Sequence, residues 1–140
     1  MKLAKIYNEG IKARLKDKRI LLGDFDDETI GVSLDGYVMY FIPKNNFLLD
    51  ENKILNTRDK MNLKNFKEPD ELICVFQSCE YREYRERLLL KIGDKYVDKK
   101  LLQNFEKPSF KTTNSKYSAI YIYELDTLVG LVMPVNIKED

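Results

Sequence analysis

The only two cysteines, Cys74 and Cys79, and the complete absence of histidine decide what chemistry this chain can carry. Two thiolates lack the two further nitrogen or sulfur ligands of a structural zinc site, and without imidazole the usual general base of hydrolytic triads is gone. The cysteines read as buried or half-exposed free thiols, with a redox role as the alternative. Ser33, Ser78, Ser109, Ser115 and Ser118 have no base beside them, and the six glycines form no phosphate-cradling loop. The run Asp24-Phe25-Asp26-Asp27-Glu28 offers hard oxygen ligands to a divalent cation, yet it lacks the alternating ligands and glycine of a calcium loop and reads as a solvated turn. No catalytic residue, cofactor or metal ligand is assigned, so the chain is expected to be a binding protein and not an enzyme.

Binding chemistry is better represented. Tyr81, Arg82, Tyr84 and Arg85 interleave aromatic rings with guanidinium groups, a composition that stacks unpaired bases or anchors a protein interface. A charge-protected strand edge is the competing reading. Tyr117, Tyr121 and Tyr123 read as residues packed on a sheet face. Charge is nearly balanced, with 24 Lys and Arg against 23 Asp and Glu, so no global field draws the chain to nucleic acid and an acidic mimic of DNA is disfavoured. The distribution is uneven: Lys2, Lys5, Lys12, Arg14, Lys16, Lys18 and Arg19 crowd the first segment ahead of the acidic run.

The elements that must position these groups follow from periodicity. Leu3, Ile6, Tyr7, Ile11 and Leu15 recur at helical spacing, predicting a helix over 2–17 with its lysines on the opposite face. Beyond it, Ile20 to Leu22 and then Ile30, Val32 and Leu34 read as strands, and Asp35-Gly36 supplies a two-residue turn into a strand over Tyr37 to Ile42, closed by Pro43. A helix and loop are expected between Asp50 and Glu71. Leu72 to Phe76 reads as a strand; Tyr81 to Arg87 fits either a strand or a helix and is read as strand, because Leu88 to Ile92 runs straight to a turn at Gly93-Asp94. Asp98 is the expected N-cap of a second helix through Phe105. Two strands joined by an acidic turn at Glu124 to Asp126 complete the chain.

At 140 residues, 44% hydrophobic and 34% charged, the composition fits one folded domain over 1–140 and is far from that of a disordered chain. No apolar run is long enough to span a bilayer or serve as a signal peptide, so a cytoplasmic protein without a membrane partner is expected. The element order gives the expected class: α+β, an antiparallel sheet with two helices on one face.

Three stretches carry a family resemblance. Asp35-Gly36-Tyr37-Val38-Met39-Tyr40 is similar to the hairpin after the first helix of a DNA-polymerase sliding-clamp domain. Lys95-Tyr96-Val97-Asp98-Lys99-Lys100-Leu101-Leu102 resembles its step into the second helix, and Val132-Met133-Pro134-Val135-Asn136-Ile137 looks like its closing strand. The resemblance covers one clamp-like domain where the polymerase clamp strings three together, and it implies a phage or prophage product. It further implies that both helices face double-stranded DNA, with Lys5, Lys12, Lys16 and Lys18 on the first and Lys99, Lys100 and Lys107 on the second. Such contacts go to phosphates, ignore base sequence and weaken with salt. An oligomer, or tethering by another protein, would make them useful. The function implied is scaffolding of, or interference with, replication machinery. The alternative is a small inhibitor that blocks a host defence or replication protein through a protein interface.

Overall fold

In the computed structural model, residues 1–16, 20–46 and 68–137 are described. The chain divides into two compact units, Met1–Lys67 and Glu68–Asp140.

The first unit opens with α1 (Leu3–Leu15). Its buried positions are Ile6, Tyr7 and Ala13, whereas Ile11 is 50% exposed, so the apolar stripe is rotated from the one expected. Gly10, also buried, takes the place that Ile11 was expected to fill. The Tyr7 hydroxyl donates to the carbonyl of Asn46, tying the helix to the end of the unit's described strands. Those strands form an antiparallel meander: β1 (Leu21–Asp24), β2 (Thr29–Ser33) and β3 (Val38–Pro43). Leu22 faces Val32, and Ile30 faces Ile42. These four side chains are almost fully buried and, with Ile6, form the unit's core.

The hairpin between β2 and β3 is where it was expected, but its connection spans 34–37 rather than two residues. The reason is local hydrogen bonding. Ser33 Oγ accepts from the Gly36 N–H at 2.9 Å, and Asp35 Oδ1 accepts from the N–H groups of Tyr37 and Val38 at 2.8 and 3.1 Å. Gly36 at φ 85° supplies the left-handed residue. The acidic run is the β1–β2 turn, held by the Asp26 carboxylate on the Glu28 N–H at 2.8 Å and by Asp24 against Lys44 at 3.2 Å. Among the described residues no group of three or more metal-ligating side chains forms.

The second unit is built from strands. One antiparallel run has the order β10-β9-β8-β4, from β4 (Ile73–Val75), β8 (Ser109–Thr112), β9 (Ile120–Glu124) and β10 (Thr127–Val132). A separate three-stranded sheet has the order β5-β6-β7, from β5 (Gln77–Tyr84), β6 (Arg87–Ile92) and β7 (Lys95–Asp98). Leu89, Ile92, Val97, Ile120, Ile122 and Val132 are fully buried and mark its core.

Two expectations need correction here. The segment 81–92 is not one strand: Arg85 and Glu86, at φ 48° and 65°, reverse the chain in a two-residue turn that pairs Tyr84 with Arg87. The expected two-helix α+β arrangement is not what forms; the described residues make ten strands and a single α-helix. Asp98 does cap, accepting from the Lys100 N–H at 3.0 Å, but what it caps is a 3-10 turn over Lys99–Leu102. The apolar residues Leu101 and Leu102 anchor only one turn, and with α-helix nucleation costly the segment closes as a short 3-10 turn. Leu102 is buried and sets the turn on β6 and β7. The helix and loop expected between Asp50 and Glu71 fall almost wholly outside the described residues.

Candidate binding groove of the second unit

A groove of about 570 Å³ is lined by Arg82, Asp94, Lys95, Tyr96, Lys116, Tyr117 and residues 133–137. Its floor follows from the three-stranded sheet. In β7 the alternation places Lys95 and Val97 on the buried side and Tyr96 on the other. The Lys95 side chain is 3% exposed; its Nζ donates to the Thr113 carbonyl at 2.7 Å and lies 3.6 Å from Asp94 Oδ1. A buried ammonium is tolerated only with such charge-assisted partners. This one also fixes the loop that carries Lys116 and Tyr117.

Arg82 stands on β5 opposite Leu89, and its guanidinium lies 6.0 Å from the Tyr96 ring centroid. It therefore reaches across β6 to β7. Lys116 Nζ lies 5.9 Å from the ring of its neighbour Tyr117. The opposite wall is apolar, from Met133, Pro134, Val135 and Ile137, and it is held because the Val135 N–H donates to the Tyr96 carbonyl at 2.8 Å. Two solvent-facing cations, Arg82 and Lys116, thus meet two phenol rings and an aliphatic wall, while the buried Lys95 ammonium beside Asp94 braces the groove from beneath. That combination suits a ligand with carboxylates alternating with apolar groups.

The residues singled out from sequence are distributed as follows. Arg82 is in the groove, but its aromatic partner is Tyr96 rather than Tyr81 or Tyr84. Tyr84 lies 5.1 Å from the Arg85 guanidinium, and Tyr81, 54% exposed, lies 5.8 Å from Lys99 Nζ. Lys99 and Lys100 rim a second cleft of about 440 Å³ whose lining includes Leu88, Leu90, Leu102, Phe105 and Pro108. They are exposed, as is Lys107, which occupies a left-handed loop position at φ 43°. Lys5 and Lys12 are exposed on α1, Lys16 is exposed in the turn directly after it, and Lys18 lies outside the described residues. The lysines expected on a second helix therefore stand on a 3-10 turn and a loop.

Both thiols are free, and both are exposed rather than buried or half-exposed. The segment around them puts most of its side chains in solvent: β4 buries none of its residues, and β5 none of its eight. Tyr121 and Tyr123 are buried sheet residues as expected, whereas Tyr117 is 65% exposed. Burial, followed by the negative charge of Glu68, raises the pKa of both buried phenols above the ordinary value of 10.

Sequence reasoning marked neither Lys95, Tyr96 nor Lys116 as a binding residue, and it read Tyr117 as a sheet-face residue. One signal was available: Lys95 follows the Gly93-Asp94 turn in the same strand parity as Val97, which puts an ammonium on a buried face. Among the described residues no helix is long and apolar enough to cross a membrane. Comparison with known proteins gives no match to a family model, a curated protein or a solved structure.

Proposed function

We propose that this chain is a non-enzymatic binding protein that takes an acidic, partly apolar segment of a partner protein in the groove of its second unit. The observation that carries the reading is the convergence of Arg82 and Lys116 on a concave surface with Tyr96, Tyr117 and the apolar residues 133–137, braced by the buried Lys95. Inhibition or scaffolding of the partner follows from occupancy of that segment. Duplex DNA is the less favoured ligand, because a phosphate backbone asks for a broad row of cations with little apolar surface and the chain's net charge is only +1.

The test is a fluorescence-anisotropy titration with a labelled peptide alternating glutamate and leucine, beside a labelled DNA duplex at the same ionic strength. Peptide binding that weakens about tenfold on Lys116→Glu supports the reading. Binding of the duplex alone, weakened by Lys12→Glu on α1 and Lys16→Glu just after it, would overturn it in favour of contact through the first unit.

A further inference from the structure

We propose that β5 is a self-pairing edge, through which a second copy of this chain adds its own β5 in antiparallel register about Tyr81. The inference does not rest on the groove's ligand, although Arg82 belongs both to the groove and to this edge. Among the described residues β5 has one strand neighbour, β6, so one row of its backbone N–H and C=O groups faces away from the three-stranded sheet. None of its eight residues is buried. Phe76, directly before it, is 80% exposed, Tyr81 is 54% exposed, and Leu88, on the neighbouring strand, is 39% exposed. The ladder to β6 is regular over Tyr81–Tyr84 and shifts register between Gln77 and Tyr81, and the little-covered aromatic and charged residues of this strand are what an interface leaves open in the isolated chain.

Symmetry selects the register. Two identical antiparallel strands in one sheet are related by a two-fold axis normal to that sheet, and such an axis passes midway between a residue and its own copy. Centring on Glu80, Arg82 or Glu83 opposes like charges at the axis. Centring on Tyr81 opposes the two phenol rings and places Glu80 against Arg82 of the second copy, twice by symmetry. Opposite charges and aromatic pairs directly across an antiparallel ladder both stabilise it, and like charges there oppose it. Glu80 and Arg82 lie on the same face of β5, consistent with Glu80 pairing to Lys91 at 3.3 Å and Arg82 reaching Tyr96.

The experiment is size-exclusion chromatography with light scattering across a concentration series, with circular dichroism as the check of folding. The wild type is expected to show a concentration-dependent dimer. Glu80→Lys should raise the dimer dissociation constant about tenfold or more, since two attractive pairs become two repulsive ones. Glu80→Lys with Arg82→Glu should restore the dimer, because the swap recreates both pairs. In a Cys74→Ser, Cys79→Ser background, Tyr81→Cys should form an intermolecular disulfide on mild oxidation, a readout at an exposed position that does not depend on tolerating the charge swap. A wild type that stays monomeric at every concentration would overturn the proposal. So would a dimer indifferent to Glu80→Lys, or one that Tyr81→Cys cannot cross-link.

Discussion

The backbone N–H of Val135 donates to the carbonyl of Tyr96 at 2.8 Å, and this one bond brings the segment after the last strand against the edge of β7. It gives the groove its apolar wall and places Tyr96, already beside Arg82, between that wall and the cations. Replacement of Val135 by Pro removes the donor and should cost roughly 0.5–1.5 kcal/mol of stability, the net worth of one backbone hydrogen bond. Chemical denaturation would measure that loss, and the acidic peptide should bind the variant more weakly than the wild type.

Lys95 is the buried cation of the groove, and its ammonium satisfies the Thr113 carbonyl. Lys95→Met keeps most of the aliphatic stem but leaves that carbonyl unpaired, which should destabilise the protein by about 1–3 kcal/mol. Because the same bond positions the loop bearing Lys116 and Tyr117, peptide affinity should fall together with stability. Lys116→Met should lower affinity while leaving the denaturation midpoint nearly unchanged.

Gly93 has φ 60°, and a Cβ built on it would stand 3.0 Å from Val75 Cγ1. The left-handed conformation favours glycine there, and a Cβ would press the Val75 side chain aside by a few tenths of an ångström. Gly93→Ala is expected to destabilise by about 1–3 kcal/mol, visible as a lower thermal midpoint. The opposite sign is expected at the β9–β10 turn. Leu125 and Asp126 occupy left-handed conformations at φ 49° and 64°, and Leu125 is 98% exposed. Asn-Gly suits that pair of angles, so Leu125→Asn with Asp126→Gly should stabilise by about 1 kcal/mol.

Alkaline pH should unfold the protein more readily than neutral pH. Burial and Glu68 raise the phenol pKa values of Tyr121 and Tyr123 in the folded chain above the ordinary 10. A raised folded pKa means that the native state holds its protons more tightly than the unfolded state, so the stabilisation is fully present below pH 10 and is lost as pH rises beyond it. Tyr123→Phe should flatten that decline. A denaturation midpoint measured as a function of pH above and below the ordinary tyrosine value would check both the slope and its loss.

Much of the strand structure was legible because its signals are short-ranged. The period of Ile30, Val32 and Tyr37 to Ile42, the stop at Pro43 and the acidic turn before β10 all depend on neighbours within a few residues. Asp98 was legible as a cap for the same reason. What it starts was not legible, since a 3-10 turn and a short α-helix share a cap and an apolar spacing, and packing of Leu102 on β6 and β7 decides between them. The Arg85-Glu86 turn was hidden because neither residue favours positive φ; pairing of β5 with β6 imposes it. Arg82 was found by composition, but its partner Tyr96 is set by strand order, and the groove's other cations are assembled by a loop hydrogen bond. Such long-range placement has no local imprint in a sequence.

An acidic segment seated in the groove of the second unit would be located by a two-dimensional amide NMR titration of the chain with the glutamate–leucine peptide. The expected result is saturable shifts concentrated at Tyr96, Lys116, Tyr117 and Val135, with α1 unmoved. Shifts confined to α1, or no saturable shifts in the groove at all, would contradict the account.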